Sequence, residues 1–217
     1  MRGMPSTGND FLYPSPRGIG LLDFTALWRN NPMSVAPFVP SPMDVVREML
    51  KIAGVGPDDV VYDLGCGDGR VLFTAVQEFG AKRAVGYDLN KRFCDDIRKK
   101  ATSLGLQDRI QVVNGNFFLA DLSPATVITL YLTTSGNSKL RPKLERESRP
   151  GTRVVSHDFP IQGWTPSGEG NEGYYRFKSH RIYLYRIPEA YGLSSQVKDS
   201  SRSRLQRIRE LFTHRRF

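Results

Sequence analysis

Val60-Val61-Tyr62-Asp63-Leu64-Gly65-Cys66-Gly67-Asp68-Gly69-Arg70-Val71-Leu72 reads as an apolar strand, a glycine-rich turn and the opening of a helix. Glycines at such a turn let the backbone come close to a ligand, because no Cβ stands in the way. Their spacing discriminates among ligands. Dinucleotide-binding turns carry G-x-G-x-x-G, whereas Gly65, Gly67 and Gly69 form G-x-G-x-G with an acid, Asp63, two residues upstream. A carboxylate there would repel a pyrophosphate but suits the methionine ammonium of S-adenosyl-L-methionine.

The surrounding chain supports that reading. Ala84 to Tyr87 forms a second apolar strand ending at Asp88, where a carboxylate can accept both ribose hydroxyl protons. Asn116 and Phe117, just past a third strand at Ile110 to Val113, stand where an adenine would lie, offering an amide and an aromatic face. Taken singly, Asp63 could be a loop cap, Asp88 a strand-end turn, Asn116 an ordinary turn residue and Phe117 a core side chain. Loop, strand order and second acid together favour the cofactor.

Working outward, strands and helices alternate. Ser41, Pro42 and Asp44 read as an N-cap, a first-turn proline and an acidic first turn, opening a helix that Gly54 closes. Val71 to Phe79 and Phe93 to Leu104 have helical apolar spacing and stop at Gly80 and Gly105. Val127 to Leu132 is a fourth strand, followed by a helical stretch to about Arg149 that Pro142 must start or kink. Arg153 to His157 is a fifth strand, and Tyr174 to Arg186 two further strands joined near Ser179 and His180. The expected fold is α/β: a Rossmann-like, doubly wound, mostly parallel seven-stranded sheet with a terminal antiparallel β pair. Residues 1–36 are an arm with a short helix marked by Leu21, Phe24, Leu27 and Trp28, residues 37–188 the folded domain and residues 189–217 a basic tail.

Composition is compatible with one core. The chain has 217 residues, of which 24% are charged and 39% hydrophobic. No apolar run approaches the roughly 18 to 20 residues that span a bilayer, and no signal-peptide core opens the chain, so the expected location is the cytoplasm. Cys66 and Cys94 form no CxxC pair, and no metal is expected.

What accepts the methyl group is read at the end of the fourth strand, which in an open α/β sheet faces the ligand crevice. Enzymes acting on amide or adenine amino nitrogens place [DN]-P-P-[YF] there, but this chain has Thr129-Leu130-Tyr131-Leu132. Cytosine C5 chemistry needs a cysteine near the fourth or fifth strand end, and neither cysteine qualifies. A lysine amine is a strong nucleophile once neutral, and an apolar, aromatic channel favours the neutral form. Tyr131, Phe38 and Trp164 are the candidates to line one, although Phe38 and Trp164 could equally be core or lid packing. His157 and Asp158, ending the fifth strand, are either a proton-accepting pair or a structural hydrogen bond.

At these residues the chain resembles the archaeal broad-specificity protein-lysine methyltransferases and their eukaryotic mitochondrial relatives. The resemblance covers about residues 37–187. It rests on Pro37-Phe38-Val39-Pro40-Ser41-Pro42, on Tyr62 to Arg70, on Thr129 to Leu132, and on Arg149 to Phe159 with Trp164. It implies methylation of exposed lysines on protein substrates without a strict motif. It also implies that Phe38, Val39, Pro40 and Ser41 border the lysine entrance with Tyr131, and that His157 and Asp158 close the far side. Ser41 stands where a threonine is expected.

The net charge of +9 is concentrated at the end of the chain, where Lys198 to Phe217 holds seven basic residues and two acidic ones. Leu205, Ile208, Leu211 and Phe212 recur at helical spacing between the arginines. A helix docked on the domain, a nucleic-acid or acidic-protein contact through residues 198–217, and a membrane-surface contact all fit this pattern. The nucleic-acid reading keeps an RNA or small-molecule methyltransferase as the rival function; a non-catalytic S-adenosyl-L-methionine-binding protein is the rival from another class.

Overall fold

Seven strands hydrogen-bond in the order β3-β2-β1-β4-β5-β7-β6 in the computed structural model, which describes residues 38–168 and 172–191. In chain order the elements are α1 (Met43–Ile52), β1 (Val60–Leu64), α2 (Arg70–Gln77), β2 (Arg83–Asp88), α3 (Lys91–Ser103) and β3 (Ile110–Asn114). There follow β4 (Val127–Leu130), α4 (Thr134–Glu147), β5 (Arg153–His157), β6 (Tyr175–Phe177) and β7 (His180–Arg186). Strands β1 to β5 run parallel; β7 is antiparallel to β5 and to β6, which it joins through a two-residue turn. The expected arm helix and basic-tail helix lie outside the described residues.

The strand sequences are apolar on both faces because both faces are covered. Alternation along β1 sends Val61 to one side and Tyr62 and Leu64 to the other. The first side meets α1, α2 and α3 through Val46, Leu50, Leu72, Val76, Ile97 and Ala101. The second meets Leu140 and Leu144 of α4 and the segment around Phe117 to Leu122. Strand β7 bridges the two layers, with Ile182 and Leu184 in one and Tyr183 and Tyr185 in the other. Fully burying one such leucine is worth about 1.5–3 kcal/mol, so each layer is held by many comparable contributions.

Two local expectations differ from what is observed. Ser41 does not cap α1: Pro42 holds the N-cap position, with no side-chain cap bond, and the Ser41 hydroxyl instead meets His157 Nδ1 at 2.8 Å. A contact 116 residues away in sequence has taken the group that local chemistry assigns to the helix. Of the two expectations for Pro142, starting the helix is not what is observed: α4 begins eight residues earlier, capped by Thr133, whose Oγ1 accepts from the Gly136 amide, and runs through the proline. Burial of Leu140 and Leu144 on either side of the proline holds that segment helical.

The chain leaves β1, winds outward to β3 and returns to β4 on the other side, so the strand order reverses between β1 and β4. The crevice beyond the C-terminal ends of these strands is where open α/β sheets bind ligands.

Candidate active site

The loop from Asp63 to Arg70 opens into that crevice. Gly65, Gly67 and Gly69 have φ of 91°, 51° and 78°, in the left-handed region that favours glycine. Space imposes a second demand. A Cβ on Gly67 would stand 2.5 Å from the Phe38 ring, and one on Gly69 would stand 2.7 Å from Ile97. Strand β2 passes so closely beneath the loop that a Cβ on Gly86 would meet Cys66 Sγ at 2.7 Å, a requirement the sequence pattern did not reveal.

Asp63 is buried, and strand pairing sets Thr129 of β4 beside it, so that Thr129 Oγ1 donates to Asp63 Oδ1 at 2.6 Å. Burial pushes the Asp63 carboxyl up to about 7, although the Thr129 bond works the other way and Asp88 and Asp68 push it up further. A carboxylate placed where ionisation is costly is completed by a cation. The sequence Thr129-Leu130-Tyr131-Leu132 does not by itself assign Thr129 a partner; the register of β1 against β4 does. Asp88, at the end of β2, accepts from the Gly67 amide at 2.8 Å through Oδ2 and from the Asn90 amide at 2.8 Å through Oδ1. Asn116 caps a single 3-10 turn, accepting from the Phe118 amide at 3.0 Å, and Phe117 within that turn is buried against Phe118.

These residues fit S-adenosyl-L-methionine. Asp63 would take the ammonium, Asp88 the ribose hydroxyls, and the three left-handed glycines give the close approach. Asn116 and Phe117 would flank the adenine. Cys66 and Cys94 are buried, and burial raises both thiols, Cys66 well above its ordinary range.

The acceptor side is assembled from separate segments. Tyr131 follows β4, and its ring stacks on His157 with centroids 4.0 Å apart and planes 30° apart. Phe159 stands 6.2 Å from the same tyrosine ring. His157 has no exposed surface, and burial lowers its pKa to about 4 against the opposing pull of Asp158. Its ring is therefore neutral at physiological pH. Its Nε2 lies 3.2 Å from Asp158 Oδ2 and 2.9 Å from His180 Nδ1. For Asp158, burial pushes the carboxyl up, but the bonds from the Arg181 amide and His180 outweigh it, so the carboxyl is held below its ordinary value.

The sequence-selected residues divide accordingly. Ser41, Tyr131, His157 and Asp158 come together. Phe38 lies against the cofactor loop at Gly67 and against Phe93, with ring centroids 4.6 Å apart, while Val39 and Pro40 are exposed beside it. Trp164 belongs to the packed layer: it is 6% exposed, donates Nε1–H to Glu145 at 2.9 Å, and meets the rings of Tyr185 and Tyr191. Its expected place in the lysine channel gives way to core packing, since its indole finds its polar partner on α4. His180 carries no local signal in the sequence, where a lone histidine stands at the start of an aromatic strand.

Ser41 links the two sides. Its hydroxyl meets His157, and its carbonyl accepts from Arg70 Nη1 at 2.5 Å at the start of α2. Arg70 is in turn paired with Asp68 of the glycine loop. No helix among the described residues is long and apolar enough to cross a membrane.

Comparison with known proteins agrees with this geometry. Residues 63–168 match the model of the ANTKMT methyltransferase domain. A protein-lysine N-methyltransferase of Saccharolobus islandicus is 48% identical over 158 residues, covering 70% of this chain and 94% of that protein. The mouse adenine nucleotide translocase lysine N-methyltransferase is 30% identical over 151 residues; the match spans 70% of this chain and 63% of the mouse protein. Among solved structures, an RNA methyltransferase of Salinibacter ruber in complex with S-adenosyl-L-homocysteine is 42% identical, with a TM-score of 0.65. It covers 70% of this chain and 95% of that one.

Proposed function

The chain belongs to the family of S-adenosyl-L-methionine-dependent protein-lysine N-methyltransferases, and from that premise we propose that it methylates exposed lysines of proteins with broad specificity. The observation that carries the acceptor assignment is the Tyr131–His157 stack with the Asp158 carboxylate beside it, at the ends of β4 and β5. When bound, S-adenosyl-L-methionine supplies an activated methyl group on sulfur, so the protein's tasks are alignment, exclusion of water and handling of one proton.

The residues divide those tasks. Asp63 and Asp88 anchor the donor. Neutral His157 backs the Tyr131 ring without placing a second cation beside the incoming ammonium. Asp158, kept ionised, attracts and orients that ammonium, and the proton leaves to the solvent, to which both Asp158 and His180 have partial access. Tyr131, half-buried, presents an aromatic face that favours the neutral amine by desolvation.

A second reading is RNA methylation. It is favoured by the activity named for the Salinibacter ruber relative and by the basic residues between Lys198 and Phe217. Incubation with methyl-labelled S-adenosyl-L-methionine and a mixed cell extract separates the two. Protease-sensitive label that mass spectrometry places on lysine Nζ supports the proposal. Nuclease-sensitive label transfers it to RNA.

A further inference from the structure

Asp158 has a φ of 57°, in the left-handed region that non-glycine residues rarely occupy, and it directly follows a fully buried histidine at the end of β5. Such a conformation persists only where its surroundings hold it. Here the start of β7 does so. The Asp158 amide donates to the Arg181 carbonyl at 2.7 Å, the Arg181 amide donates to Asp158 Oδ1 at 2.8 Å, and His180 Nδ1 lies 3.1 Å from Asp158 Oδ2.

Three polar atoms thus converge: His157 Nε2, His180 Nδ1 and Asp158 Oδ2, with mutual separations of 2.9, 3.1 and 3.2 Å. An ionised carboxylate only accepts, so the hydrogens on this triangle come from the imidazoles. The three hydrogen bonds are satisfied together when His157 Nδ1–H donates to the Ser41 hydroxyl oxygen and His180 Nδ1–H is shared between His157 Nε2 and Asp158 Oδ2. Each ring is neutral in this arrangement. The same three atoms could converge on a divalent cation, but a cation there would repel a lysine ammonium arriving at Tyr131.

We propose that His180 is a positioning residue for methyl transfer: its Nδ1–H fixes the Asp158 carboxylate, and with it the His157 ring on which Tyr131 stacks, where the lysine ammonium is met. This rests on the lysine reading given above. His180 does not contact the acceptor; it sets the direction of the group that does. One Asp158 oxygen is tied to β7 by Arg181, and the other keeps a lone pair for the ammonium.

The side chain of asparagine can place an amide N–H where His180 Nδ1–H stands, whereas leucine fills similar volume without a donor. Methyl transfer is measured to a synthetic unstructured peptide bearing one lysine, with S-adenosyl-L-methionine affinity and Tm read in parallel. His180→Leu should lower kcat roughly 10- to 50-fold, as expected for a lost hydrogen bond to a charged group, with little change in cofactor affinity. His180→Asn should recover activity to within a few-fold. In an Asp158→Gly background, where the carboxylate is gone and the left-handed backbone is relaxed, adding His180→Leu should change the residual rate little.

Full activity in His180→Leu would overturn the proposal. So would equal loss in both His180 variants with a lowered Tm, or additive losses with Asp158→Gly, because those mark a purely structural histidine. Abolition of wild-type activity by a chelator, with restoration by zinc, would replace the hydrogen-bonded arrangement by a metal site. Wild-type protein that transfers no methyl to the lysine peptide would remove the lysine reading itself and this inference with it.

Discussion

The two halves of the crevice are built on different principles. On the β1–β2 side, Asp63 to Arg70 is one contiguous turn whose three glycines, buried acid and following helix are consecutive in the chain. On the β4–β5 side, Ser41, Tyr131, His157, Asp158 and His180 come from four separate segments, and the Ser41–His157 bond alone closes 116 residues. A site made by a local motif is fixed as soon as its turn forms. A site made by long-range contacts depends on sheet order and on β7 entering antiparallel beside β5. The first holds a common cofactor; the second can be altered segment by segment, which suits the choice of acceptor.

If the halves are functionally separate, damage to one should leave the other's binding intact. The largest expected effect is at Asp63. Asp63→Asn removes the charge opposite the donor's ammonium and should weaken S-adenosyl-L-methionine binding by about 3 kcal/mol, roughly 150-fold, by isothermal calorimetry. The unliganded protein should not lose stability at pH 8. Burial raises the folded-state carboxyl above its ordinary 3.8 to about 7, so the fold loses stability as pH rises through that interval, the full cost stands at pH 8, and the amide removes it.

Next is Tyr131→Ala, which should lower kcat/KM for a lysine peptide about 100-fold, the scale of misaligned reactants, while cofactor affinity stays within twofold. A parallel loss of cofactor binding would break the distinction between the halves.

Smaller is a pH effect confined to the cofactor half. Free Asp63 with a pKa of about 7 takes up a proton below that pH, and binding an ammonium favours its ionised form. Affinity for S-adenosyl-L-methionine should therefore fall roughly tenfold between pH 8 and pH 6, and the slope due to this carboxyl should vanish in Asp63→Asn. The smallest effect is at Phe38, which lies on Gly67 and Phe93 although it belongs to the same segment as Ser41. Phe38→Ala should weaken cofactor binding about fivefold, near 1 kcal/mol of lost apolar contact, with peptide KM within about twofold of wild type. An effect on the peptide alone would place Phe38 on the acceptor side.

The same contrast explains what was legible in the sequence. The alternation of elements and the glycine loop are local patterns that agree with the observed sheet, although β4 ends at Leu130, short of the expected Leu132. Asp63 and Asp88 stand at strand ends that a parallel sheet brings side by side, so their grouping followed from order alone. Thr129 could have been found only by placing β4 beside β1 in register. Ser41 read as a helix cap because nothing nearby in sequence announces His157. For Trp164 channel lining and core packing stayed equally open because an indole suits both, and the partner that decides it, Glu145, lies on another element. His180 offered no pattern; its role depends on a strand that turns back along β5.

The most direct test of the account is a crystal structure with S-adenosyl-L-homocysteine and a lysine-bearing peptide. The account predicts the amino-acid end of the cofactor at Asp63 and the lysine Nζ between the Tyr131 ring and the Asp158 carboxylate. A lysine bound elsewhere, with Tyr131 and Asp158 untouched, would contradict it.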